Sequence, residues 1–375
     1  MPFMNQELIG QSSISKCPLQ LIVILLLTAV SGRALTINVN YDSSVVSSPD
    51  SASIQSGFAW AVQTFQNQFT NPVTVNLTVY WGATGPFYQG ISLGASSTSL
   101  VGYFSYADLK MALRNARCSA ADTNSVASLP TVNPIGTNQW LIPRAEAKAL
   151  KFLTANDPAN DGAVGFASDV NYTFNPTNRA VPGKYDFIGV AEHEISEVLG
   201  RGFGLGYYGG GYQPNDLFRF SAYGVRNFDP YASEVYFSVD NGATPLKYFY
   251  GDINSGDVQD WASSASLDAY DAYLTSGKQA ELSTNDFVAL DILGYNSSGV
   301  QAAWLNGSAL TGNRFQINFT NLAATRFTVL GGTNALAPGG NWDVLGIATE
   351  QAVGQYGFID THATNGMRLY RVYSP

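Results

Sequence analysis

The hydrophobic period of this chain changes along its length, and that change limits the available folds more than any other feature. "ALTINVNYD" (34–42) and "PVTVNLTVYWG" (72–82) alternate apolar and polar residues, as half-buried strands do. Between them, Ile54, Phe58, Ala61, Val62 and Phe65 recur at helical spacing within 51–69. The same reading predicts helices over 105–117, 142–153, 185–200 and 284–295, and a short strand over 161–168. After "NSSG" (296–299) only short alternating runs remain, separated by Gly, Pro and Asn turns, which reads as a small all-β module. The predicted class is α+β: a mixed sheet with a backing helix and a motif-bearing helix, followed by a sandwich-like module.

Residues 19–30 form an apolar run with Lys16 upstream and small residues downstream, the pattern of a secretory signal peptide. The run is shorter than the roughly 20 residues a membrane-spanning helix needs. The expected organisation is therefore a signal peptide at 1–34, a main domain at 35–297 and the β-module at 298–375, in a secreted, extracellular protein with no membrane span. Cleavage would remove Cys17 and leave Cys118 alone, so no intrachain disulfide is expected and the core or bound ions must hold the fold. Apolar content of 45% excludes a disordered chain. A net charge of -9, with no run of Lys or Arg, argues against nucleic acid and anionic membrane surfaces as partners.

One of only two histidines lies in "YDFIGVAEHEISEVLG" (185–200), among Glu192, Glu194 and Glu197. On a helix, positions i and i+4 share a face, so His193 and Glu197 point the same way and Glu194 lies at the edge of that face. The spacing matches HExxH metal sites, with Glu197 replacing the second histidine and Glu194 in the general-base position. Carboxylates on an apolar helix need partners, and nearby bases are limited to Lys184 and Arg201. A metal is the simplest partner; the alternative is an acidic helix edge paired with Arg201. Asp216 is the candidate third ligand, its alternatives being a turn cap or a partner for Arg219. Tyr207, Tyr208 or Tyr212 could also ligate or stabilise an oxyanion. Zinc is the default ion, and a one-His, two-carboxylate set brings Mn and Fe into consideration. Elsewhere, "GDINSGDVQD" (251–260) begins like a calcium loop, but its twelfth position is Ser263. His362 reads as a surface-turn residue, and Cys118 has no partner histidine in view.

The stretch "GKYDFIGVAEHEISEVLGR", followed by "NDLFRFSAYG", "VYFSVDNGATPL", "GDVQDWASS" and "TNDFVALDILGY", resembles a family of secreted bacterial metalloproteases of the zincin type with an HEISE helix. The resemblance spans roughly 35–295. It implies a zincin-like catalytic domain with His193 and Glu197 as metal ligands and Glu194 as base. A looser similarity is to metzincins: Gly200 matches their motif glycine and "DFVALDILGY" their last catalytic-domain helix. In this chain Glu197 replaces their second histidine, Phe203 occupies their third-ligand position, and no methionine lies between 201 and 295. The tail resembles a β-sandwich module found at the ends of secreted bacterial proteins. The expected function is metal-dependent hydrolysis of protein or peptide substrates by a monomer. The alternatives are a non-catalytic binding protein on the same scaffold, or a different metal hydrolase.

Overall fold

The computed structural model describes residues 10–11 and 35–373, apart from 138, 207–210, 252–255, 263–266, 298–304, 322–326, 334–341, 353 and 364–367. The chain divides into two compact units, Gly32–Ser297 and Ser298–Pro375, the latter joined by Met1–Ser31. No described helix is long and apolar enough to cross a membrane. The predicted signal peptide lies outside the described residues except for Gly10–Gln11, which pairs with Leu369–Tyr370.

The first unit is α+β. Its elements begin with β1 (Thr36–Tyr41), α1 (Ser51–Gln68), β2 (Thr74–Trp81), β3 (Gly94–Thr98) and β4 (Gly162–Phe166). The sheet order is β1-β2-β4-β3. β1, β2 and β4 run parallel, and β3 pairs antiparallel with β4 from Gly94↔Phe166 to Thr98↔Gly162. The alternation of β2 buries Val75, Leu77 and Val79 in the same core cluster as the predicted apolar face of α1, where Ile54, Phe58, Ala61 and Phe65 are inaccessible to solvent. The motif helix α2 (Phe187–Ser196) packs against both α1 and β3. It continues as a single π turn over Glu197–Arg201, where Gly200 adopts φ 134°. That left-handed value favours glycine and ends the helix where the sequence places its stop. α3 (Thr284–Asp291) starts with a capping box between Ser283 and Asp286.

Two local expectations change. The helix predicted over 142–153 is a strand, Trp140–Pro143, followed by a helix of only six residues, Arg144–Ala149. Trp140 and Ile142 are buried on pairing with Leu100–Phe104, and that burial outweighs the helical spacing. A helix over Ala120–Ser128, opened by a Ser119–Asp122 capping box, was not predicted. In the second unit, two four-stranded antiparallel sheets share a cluster that includes Ile317, Phe319, Phe327, Val329, Tyr356 and Tyr370.

Candidate metal centre

α2 begins at Phe187 and is buried along nearly its whole length, as its apolar sequence requires. Its polar residues divide between two sides. Glu192 faces α1, where its carboxyl accepts from Thr64 Oγ1 (3.0 Å) and Arg179 Nη2 (3.3 Å). Arg179 also binds Asp186 and the Ala280 carbonyl, tying the start of the helix to the chain before α3. Burial pushes the Glu192 carboxyl up to about 7 against the pull of Arg179.

His193 and Glu197 lie on the other side, one turn apart. His193 Nδ1 is 2.8 Å from the Ala269 carbonyl oxygen, which can only accept. Nδ1 therefore carries a proton, and Nε2 faces Glu197 Oε1 at 3.7 Å and Asp260 Oδ1 at 3.3 Å. One donor atom from each of His193, Glu197 and Asp260 lies within 4.8 Å of the others. Burial opposes charge on the imidazole, but Asp260 and Glu197 outweigh it, so without a cation its pKa stands well above the ordinary histidine value.

Each carboxylate is held from outside the group. Ser96 Oγ on β3 donates to Glu197 Oε2 (2.8 Å), and Gln259 Nε2 donates to Oε1 (2.9 Å). Burial works against charge on Glu197, yet His193, Arg201 and Gln259 hold its carboxyl well below the usual range. Asp260 is placed by its neighbour Trp261, whose buried ring contacts Phe237 and Phe249 and whose Nε1 donates to Asp286 Oδ1 at 2.6 Å. Arg201, from the π turn, lies 3.0 Å from Asp260 Oδ1 and 3.6 Å from Glu197 Oε1.

Glu194 is 7% exposed. Among the described residues none hydrogen-bonds its carboxyl, which lies over Gly94 of β3. A methyl group at Gly94 would sit 2.6 Å from Val190 Cγ1 and closer still to that carboxyl. Burial, then the charge of Glu197, raises the Glu194 pKa well above the ordinary value.

The expected third ligand requires correction. Asp216 is fully buried, but away from this group: its oxygens accept from the backbone N–H of Gly204 (3.1 Å), Leu205 (2.8 Å) and Gln213 (3.0 Å). It is a turn cap, the alternative the sequence left open. The carboxylate that the fold brings beside His193 and Glu197 is Asp260, from the "GDVQDWASS" stretch. Tyr212 packs between Trp140 and Phe228, outside the group. Tyr207, Tyr208, Asp252 and Asn254 lie outside the described residues. His362 is on an exposed turn beside Thr361. A second group, Cys118, Asp122 and Asp291, also has donor atoms within 4.8 Å; Cys118 there is exposed, and Ser119 and Ser297 bond the two carboxylates.

Comparison of the chain with known protein families, with curated proteins and with solved structures finds no match in any of the three.

Proposed function

We propose that this protein is a secreted, metal-dependent peptidase of zincin-like fold, holding a divalent cation with His193, Glu197 and Asp260. One observation carries the reading: the convergence of His193 Nε2, Glu197 Oε1 and Asp260 Oδ1, with Nδ1 committed to the Ala269 carbonyl. Donors around a four-coordinate zinc, at about 2.1 Å from it, lie roughly 3.4 Å apart. The separations of 3.3 and 3.7 Å suit such a centre before any rearrangement. A histidine whose second nitrogen is fixed by a carbonyl is also the usual arrangement of a metal-bound imidazole. Zinc is the first candidate, with Mn and Fe as alternatives for a set richer in oxygen.

When bound, the cation supplies Lewis acidity toward a water and a scissile carbonyl. Glu194 is the proton carrier in this reading. It is next to His193 in the chain and outside the donor group, and no described partner occupies its carboxyl. It takes the proton of the attacking water and returns it to the leaving amine.

A second reading, a binding protein that keeps the scaffold without catalysis, is favoured by the near-burial of Glu194 beneath Gly94. Metal analysis and a peptide-cleavage assay on purified protein separate the two. The peptidase reading expects about one metal per chain, lost in His193→Ala. It also expects Glu194→Gln to keep the metal while cleavage falls by about 100-fold or more. Metal without cleavage in the wild type would favour the binding protein. No uptake of zinc, manganese or iron would overturn the peptidase reading and leave the binding protein.

A further inference from the structure

Arg201, beside the donor group, is more deeply buried than Glu197 or Asp260, with 0% of its surface exposed. Four contacts fix its guanidinium. Nε donates to Ser196 Oγ (2.7 Å), and that hydroxyl donates to the His193 carbonyl (2.5 Å). Nη1 donates to Asp260 Oδ1 (3.0 Å) and to the Gln259 carbonyl (3.2 Å). The plane lies over the Tyr270 ring, 4.1 Å from its centroid. Nη2 is buried without a hydrogen bond among the described residues and faces Glu197 Oε1 at 3.6 Å, beyond hydrogen-bond range. A planar fork held at this many points cannot swing away when a cation arrives.

We propose that Arg201 is a permanent counter-cation of the donor set: it holds Glu197 and Asp260 together before a metal binds and limits how tightly the metal is then held. The inference rests on the peptidase reading only in taking His193, Glu197 and Asp260 as ligands. Two buried carboxylates this close repel each other, and one fixed positive charge offsets part of that repulsion. The same charge repels an incoming dication a few ångströms away, in surroundings that screen poorly. Arg201 therefore acts as a positioning residue that exchanges affinity for a preformed, exchangeable site.

The test is metal affinity, by competition with a chelator, together with Tm for metal-free and loaded protein. The variants are Arg201→Gln, which removes the charge, and Arg201→Lys, which keeps it. The proposal expects Arg201→Gln to bind both Zn2+ and Mn2+ at least about tenfold more tightly, because the lost repulsion depends on ionic charge. It also expects the Gln variant to lose more Tm metal-free than loaded, and Arg201→Lys to bind within about threefold of wild type. Equal or weaker binding by a folded Gln variant would overturn the proposal. If the Gln variant does not fold, the Lys variant decides. Affinity near wild type supports a role for the charge, and a loss of tenfold or more shows that only the shape of the fork matters. A wild type that takes up no metal overturns the proposed function and this inference with it. A wild type that loads normally while Arg201→Gln binds no more tightly overturns this inference alone.

Discussion

Glu192, Glu194 and Glu197 share a helix and a residue type, yet each has different surroundings. Glu192 is paired with Arg179, Glu194 is enclosed under a glycine, and Glu197 is held by Ser96 and Gln259 beside His193. The i, i+4 relation of His193 and Glu197 was legible because helix geometry alone sets it. Asp260 was not, because its place depends on Trp261 reaching Asp286 across the fold. Two conservative substitutions separate the aspartates. Asp260→Asn is expected to lose most of its bound metal. Asp216→Asn is expected to keep it and to lose roughly 2–4 kcal/mol of stability, because an amide cannot accept from all three N–H donors. Metal content and denaturant melts of the two variants check this, and metal loss in Asp216→Asn would return Asp216 to the site. Ser96→Ala removes an outer support of Glu197 and is expected to weaken metal binding by about tenfold, as measured by chelator competition.

The elements around α2 set what Glu194 can do. β3 reads "GASST", with no apolar alternation, so the sequence did not show it as a strand, and only its pairing with β4 defines it as one. It passes so close to α2 that Gly94→Ala must displace Val190 or Glu194. The expected outcome is a drop in cleavage of about tenfold or more with metal content unchanged, since none of the three donors is touched. An unaltered cleavage rate would show that Val190 gives way and Glu194 stays in place. On the other side of the π turn, Glu146 is fully buried against Gly200, and among the described residues neither carboxyl oxygen has a hydrogen-bond partner. Burial raises its pKa well above the ordinary value, so the native state holds its proton after the unfolded chain has released it. Its stabilising contribution is complete below the unfolded value and is lost as pH rises. Glu146→Gln, which has the same shape and does not titrate, is therefore expected to match wild-type Tm near about pH 4 and exceed it near about pH 8. Thermal melts at the two pH values check this, and a lower Tm at both would show that the carboxylate has a partner.

Across the first unit several buried carboxyls have raised pKa values: Asp291 at about 6, and Glu192 and Asp216 at about 7, burial being the first cause in each. Every tenfold gain in proton affinity on folding is linked to about 1.4 kcal/mol of stability. Between about pH 4.5 and 7 the native state binds more protons than the unfolded chain, so stability falls across that window. The Tm of the metal-free protein is expected to drop by several degrees from about pH 5 to about pH 8, and a flat or rising profile would contradict the raised values. The sequence by itself determined the α+β class, the strand–helix pattern around α1, the change to short strands after 297 and the shared face of His193 and Glu197. Those follow from local periodicity, which a chain carries without reference to distant residues. Tertiary structure alone decided the edge strand over Glu194, the turn-capping role of Asp216, the arrival of Asp260 and the enclosure of Arg201. Those depend on which distant segments reach the same point, and burial there sets the charge and partner of every group.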